Sequence, residues 1–234
     1  MFGNKYGKTL TVILIIVIIA IIGLLIFFGI DVYRKFYIEE AAGDAVENFR
    51  NEVDNGNLLG NLPVQDQTPI TNIPSVDLNT LYQDDNPQGN GDDDDHPKYM
   101  GYDMIGIIEI PATDVEYPII ASYDASIDSL NVAIVKLYPS NKGLNEVGNT
   151  VFAGHNYRNG TFFSNNKRLE EGDKIYITDI SGERVEYEIY DKYETGTGDS
   201  SYMNRDTQGR REISLTTCTD DTRSRLIILA REVV

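Results

Sequence analysis

Arg211-Glu212-Ile213-Ser214-Leu215-Thr216-Thr217-Cys218, followed after six residues by Arg225-Leu226-Ile227-Ile228-Leu229-Ala230, is the stretch from which fold and chemistry can be read together. Both runs are rich in β-branched and apolar residues, and Thr219-Asp220-Asp221-Thr222-Arg223-Ser224 between them supplies turn formers. The pattern predicts a hairpin with a longer loop. Alternation along the first strand sets Ile213, Leu215 and Thr217 on one face and Ser214, Thr216 and Cys218 on the other, so the thiol points away from the apolar face. Residues opposite each other across such a pair share a face, which makes Cys218 and Arg225 neighbours at the mouth of the hairpin.

Working outward, Met104 to Ile110, Val115 to Ile120, Thr150 to Ala153, Lys174 to Thr178 and Arg184 to Tyr190 are further short runs of Ile, Val, Tyr and Thr separated by Gly, Asn, Asp and Pro. Many short strands in a segment of ordinary domain size, 98–234, predict a mostly β fold, a barrel or a sandwich. Short helices are expected over Ala125 to Val132 and Phe162 to Leu169. The chain shows no internal repeat.

The remaining residues are of a different kind. Leu10 to Ile30 is an unbroken apolar run whose length, at 1.5 Å per residue, is about 30 Å, enough to cross a bilayer core. It exceeds the apolar core of a signal peptide, and no small-residue cleavage site follows it closely. Lys5 and Lys8 before the run nearly balance Arg34 and Lys35 after it, and the amino terminus tips the orientation towards N-terminus inside. The expected plan is therefore a short cytoplasmic tail (1–9), a transmembrane anchor (10–30), an acidic, largely disordered extracellular linker (31–97) and a folded domain (98–234). Tyr37 to Val53 has helical spacing at the start of that linker. Of the net charge of −17, the segment 39–97 contributes most, with 14 acids against Arg50 alone. A stretch of Asn, Asp, Gly, Gln and Pro cannot bury enough surface to offset its ordering entropy. Asp92 to Asp95 reads as a solvated tether better than as a calcium loop, whose ligands alternate with spacers. The domain itself carries 22 acids and 15 bases. No basic stripe stands out, which argues against nucleic acid as a partner.

Cys218 is the only cysteine and so forms no intramolecular disulfide. It is either a small buried hydrophobe or a reagent, and outside the cell an unused thiol is a liability. Attack on a carbonyl needs the thiolate, hence positive charge and a proton shuttle close by. Arg225 offers the first, with Arg223 as the fallback. Of the two histidines, His96 sits beside the acidic run, whereas His155 follows a strand in Gly154-His155-Asn156-Tyr157 and is the acid/base candidate. Too few His and Cys remain for a zinc site.

Val151-Phe152-Ala153-Gly154-His155-Asn156, Leu215-Thr216-Thr217-Cys218-Thr219 and Arg225-Leu226-Ile227-Ile228, in that order, resemble the motifs of sortases, the membrane-anchored cysteine transpeptidases of Gram-positive bacteria. The resemblance implies a closed β-barrel of about eight strands with His155, Cys218 and Arg225 as catalytic residues. It implies that Cys218 attacks the Thr-Gly carbonyl of an LPXTG-like sorting signal on a surface protein. The resulting thioacyl enzyme passes its acyl group to an amine, that of a lipid-linked peptidoglycan precursor or a pilin lysine. It further implies His155 as general acid and then base, Arg225 with backbone amides near Cys218 holding the oxyanion or the substrate threonine, and Thr217 as a candidate for shaping that hole. No cofactor is expected, and acids such as Asp114, Glu116, Glu170 and Glu171 leave calcium activation open. The stretch Gly154 to Phe163 and the opening Ile105 to Pro111 are similar to class B members. However, Asp191 to Arg210 is short for the extra class B helix, and no Asp-Pro-aromatic lid precedes the barrel, so the class stays open. Two alternatives accompany this reading: a membrane-tethered cysteine peptidase or amidase, and a non-catalytic scaffold on an acidic tether. Papain-like enzymes place Cys before His and on a helix N-terminus, the reverse of the order here.

Overall fold

A computed structural model describes residues 5–56, 58 and 96–234, which form two compact units, residues 1–41 and 42–234. A single helix, α1 (Lys5–Asp54), runs from the first into the second. In the first unit its residues from Leu10 to Ile30 expose Leu, Ile, Val and Phe on every side, the surface that hydrocarbon tolerates and water does not. It is long and apolar enough to cross a membrane.

In the second unit α1 continues through residues expected to be linker. Ala42, Val46 and Phe49, at i, i+4 and i+7, are buried, and Arg50 reaches Glu116 at 2.5 Å and Glu109 at 3.3 Å. Residues 31–54 are therefore helix rather than the start of a disordered tether. The part of the apolar stripe from Ala42 to Phe49 is buried within this unit, which composition alone did not reveal. The rest of the expected linker, 59–95, lies outside the described residues, and with it the Asp92 to Asp95 run.

Nine strands follow: β1 (Lys98–Tyr99), β2 (Tyr102–Ile110), β3 (Val115–Ile120), β4 (Ile134–Tyr138), β5 (Gly148–Ala153), β6 (Lys174–Asp179), β7 (Arg184–Gly196), β8 (Arg211–Cys218) and β9 (Ser224–Glu232). They pair in the order β1-β2-β3-β4-β5-β8-β9-β7-β6, and β6 returns to β2, so β2 to β9 close an eight-stranded barrel with β1 as a two-residue appendage. Gly106 sits at the closing seam opposite Asp179, where an added Cβ would collide with the Thr178 carbonyl and the Leu144 side chain. Only a glycine lets the two strands meet there. Two pairings are parallel, β3 with β4 and β5 with β8, and the others are antiparallel.

The helices are shorter than expected. Ala125 to Val132 contains only α2 (Ile127–Leu130), started by a capping box between Ser126 and Ser129. Phe162 to Leu169 yields one 3₁₀ turn at Asn166–Arg168, because Phe162 takes φ 49° and bridges Asn156. Strand β4 was not expected, since Lys136 interrupts its apolar run. Strand β7 outlasts its expected end, continuing past a bulge at Ile189/Asp191 because Lys192 and Glu194 still pair with β9.

At the barrel end opposite Cys218 the loop 139–147 forms a floor. Asn145 donates to the carbonyls of Ile177 (3.2 Å) and Glu183 (2.9 Å) and accepts from the Tyr187 hydroxyl at 3.1 Å. Lys136, 2 % exposed and paired with Phe152, donates to the Lys142 carbonyl. Burial lowers its pKa to about 8, with Glu146 opposing. The unfolded chain keeps this proton up to the ordinary lysine range, so between pH 8 and 10 the unfolded state binds more protons and stability rises with pH. Tyr187, raised above its usual range by burial, reverses the trend beyond about pH 10, where the unfolded chain ionises first. The unfolding free energy of the chain in detergent, from denaturant titrations, should therefore increase from pH 7.5 to 9.5, by an amount on the order of 3 kcal/mol at most. Lys136→Met should flatten that rise, and an equally steep rise in the variant would exclude Lys136 as its source.

Candidate active site

The register of the parallel pair β5 and β8 is the starting point. Gly148 faces Arg211 and Ala153 faces Thr216, an offset that puts the carboxyl-terminal ends of both strands at one rim of the barrel. The same offset of 63 residues relates Gly154 to Thr217, whose hydroxyl donates to the Gly154 carbonyl at 2.7 Å, and relates His155 to Cys218. Gly154 N–H in turn donates to the Thr216 carbonyl at 3.3 Å. A side chain at 154 would meet the ring of Phe163 at 2.8 Å and Ile134 at 2.9 Å, so the glycine before His155 is what lets the loop pass over that ring.

Cys218 and Arg225 are cross-strand partners at the ends of β8 and β9, as alternation predicts. Arg225 Nη1 lies 2.8 Å from Cys218 Sγ. The arginine is 7 % exposed and the thiol half-buried, while Arg223 is exposed in the hairpin loop with its N–H on Asp221. Of the two arginines, it is Arg225 that reaches the sulfur. Thr217 points to the other side of β8 and spends its hydroxyl on Gly154. It ties β8 to the His155 loop rather than opening towards the thiol. His155 is half-buried, with its ring 4.8 Å from that of Tyr157, whose hydroxyl donates to Asn131 Oδ1 at 2.7 Å. Tyr157 thus links the His155 loop to the C-terminal end of α2.

Alternation sets Ser214, Thr216 and Cys218 on a face of β8 that is not apolar. Ser214 and Thr216 are nevertheless buried, because the connection 197–210 runs back over this face from β7 to β8. Tyr202 and Met203 from that connection form a second small core with Val151, Ile227 and Leu229. Arg205 fastens it, donating to Tyr190 Oη (2.6 Å), Glu212 Oε2 (2.7 Å), Asn149 Oδ1 (3.0 Å) and the Tyr202 carbonyl (3.2 Å). The Tyr202 hydroxyl lies 3.4 Å from Thr216 Oγ1; burial raises its pKa, against the hydrogen bond to Thr216 and the charge of Arg225. Cys218 and Arg225 therefore emerge at the top of a covered face.

Three further residues at the rim escaped the sequence reading. Asn156 donates from one amide nitrogen to the Cys218 carbonyl and to Asp220 Oδ1, both at 3.0 Å, and Lys167 holds the other oxygen of Asp220 at 2.5 Å. The lysine, and then the amide, hold the Asp220 carboxyl below its usual range. Among the described residues no group of three or more His, Cys, Asp or Glu could hold a metal ion. Glu109 and Glu116 instead face Arg50, and Arg184 also binds Glu109.

An eight-stranded closed barrel with a lone thiol under a buried guanidinium, beside a histidine on the neighbouring parallel strand end, defines a class of candidate thiol enzyme. The sortase-domain family profile matches residues 108–233, and the chain belongs to the sortase family. Sortase A of Bacillus anthracis is 35% identical over 116 residues, 49% of this chain and 52% of that one, so the match spans about half the length of this curated relative. Among solved structures, a lid mutant of sortase A from Corynebacterium diphtheriae shares 27% identity at a TM-score of 0.50, covering 57% of this chain and 72% of that one. A sortase D5 transpeptidase from Clostridium perfringens has the same fold at 21% identity and a TM-score of 0.56, covering 83% and 99%.

Thr217→Val keeps the shape of the side chain and removes its hydrogen bond, leaving the buried Gly154 carbonyl short of a partner. A loss of about 1–3 kcal/mol in unfolding free energy is expected, read from urea titrations. A neutral result would mean that the tie between β8 and the His155 loop carries no stability.

Proposed function

We propose that the protein is a cysteine transpeptidase that cleaves an LPXTG-like sorting signal at Thr-Gly and transfers the acyl part to an amine. The observation that carries this reading is the guanidinium of Arg225 donating to the Cys218 sulfur at 2.8 Å, next to a parallel strand end that bears His155.

In this reading the sulfur, as thiolate, adds to the threonine carbonyl. The Arg225 donors, with backbone N–H groups near Cys218, stabilise the negative charge that moves from sulfur to carbonyl oxygen. As the scissile C–N bond breaks, His155 gives a proton to the departing glycine amine, and the C–S bond of a thioacyl enzyme remains. An incoming amine then adds to the same carbon and loses a proton to His155, and the C–S bond breaks to restore the thiolate beside a protonated His155. Protons and electrons balance without a cofactor, so we expect turnover to persist in chelator. The substrates would be surface proteins carrying the signal, and the acceptor an amine of a lipid-linked wall precursor or a pilin. Helix α1 would anchor the enzyme once through the cell membrane, with the tail inside and the barrel outside.

Intact-mass measurement with LPXTG-type peptides tests the chemistry. The wild-type chain should gain the mass of the acyl fragment and Cys218→Ala should not. Added amine should give the amine-linked product; release of free acid alone, whatever the amine concentration, would instead mark a peptidase. Arg225→Lys, which loses the planar fork of donors, should reduce turnover about 100-fold or more, while Arg223→Ala stays within about threefold. The reverse ranking would move the role to Arg223.

A further inference from the structure

The site loops are held together by a polar cross-tie that the reaction itself does not use. Asn156 follows His155 directly. Its side-chain amide binds the backbone carbonyl of Cys218 and the carboxylate of Asp220, each at 3.0 Å, while its own Oδ1 accepts from Arg158 N–H at 3.1 Å. Asp220, two residues beyond the thiol, is also held by Lys167 of the 3₁₀ turn, and the Lys167 carbonyl accepts from Lys192 of β7 at 3.2 Å. Three segments that would otherwise move separately thus meet on one carboxylate: the loop after β5, the β8–β9 hairpin loop and the 3₁₀ turn.

We propose that Asn156 is a positioning residue, which through the Cys218 carbonyl and Asp220 fixes the separation between His155 and Cys218. This rests on reading those two residues as a catalytic pair. Backbone bonding between the two strands ends with Gly154 N–H on the Thr216 carbonyl, and past it the ties between the two loops run through the side chains of Thr217 and Asn156. The amide reaches the Cys218 backbone rather than its sulfur and leaves the thiol available to substrate. A displacement of about 1 Å at a reacting pair can cost about a hundredfold in rate, so a tie of ordinary strength can matter more to turnover than to stability.

The full chain in detergent micelles with ¹⁵N-labelled histidine gives a peptide-independent readout, because His96 is the only other histidine. Capping Cys218 with iodoacetamide should shift the His155 ring signals in the wild-type protein. In Asn156→Ala, and in the near-isosteric Asn156→Asp that turns an acceptor towards the Cys218 carbonyl, less than half of that response should remain. With an LPXTG-type peptide, the first-order rate of adduct formation should fall at least tenfold in both variants, with KM changed less than about threefold. Asp220→Asn keeps an acceptor oxygen and should stay within about threefold of wild type. Combining Asn156→Ala with Asp220→Ala should be no worse than Asn156→Ala alone. Unchanged rate and full histidine response in the Asn156 variants overturn the proposal, as does a loss confined to KM or to melting temperature. If the wild type shows the histidine response yet forms no adduct with any peptide, the transpeptidase reading fails and the tie stands. If adducts form equally well without the Asn156 amide, the tie fails and the reading stands. A wild-type protein without any His155 response removes both.

Discussion

The parallel ladder between β5 and β8 is the constraint on which the site depends. Antiparallel neighbours bring the end of one strand to the beginning of the next, so two strand ends can share a rim only where the strands run the same way. Here a parallel pair whose facing residues lie 63 positions apart in the chain delivers a histidine loop and a thiol to one edge of the barrel. The intervening chain then makes β6 and β7 and returns across the outside of the barrel to enter β8 from below. Closure follows from the same route, because β6 and β7 carry the sheet round to β2.

That route also explains why both faces of β8 are buried. Inside are Ile213 and Leu215; outside, Ser214 and Thr216 lie beneath Tyr202 and Met203. The polar residues on the outer face are tolerated because Arg205, Asn149 and Tyr202 meet their hydrogen-bonding needs. Arg225 belongs to this outer layer, so its guanidinium is held in a protein environment and presents one edge to the sulfur. The contrast with Arg223, two residues earlier and in solvent, comes from the layer and not from the strand alone.

Much of this was legible in the residues. Period-two alternation and the turn-forming loop gave the β8–β9 hairpin and placed Cys218 opposite Arg225, because pairing across a hairpin is a local property. The His155 loop was equally visible from its motif. What escaped depends on contacts remote in sequence. Strand β4 was hidden by Lys136, a charge in a buried strand that only the floor loop makes acceptable. Residues 42–54 read as linker in the sequence because their buried stripe is short and the strands that face it lie far along the chain. Thr217 lies on the face opposite Cys218 by strand parity, and its hydroxyl is taken up by the Gly154 carbonyl. Asn156 was in plain view within the motif, but nothing near it in the chain indicated that its amide spans to position 218.

The seam between β2 and β6 at Gly106 closes the sheet on itself, so among the described residues each strand from β2 to β9 has a neighbouring strand on both sides. A sheet with open borders offers unpaired amides and carbonyls on which another chain can add a strand. Molecules of this kind packed side by side would present one another with side chains in place of backbone, and would stay separate through crowding rather than stitch into fibres.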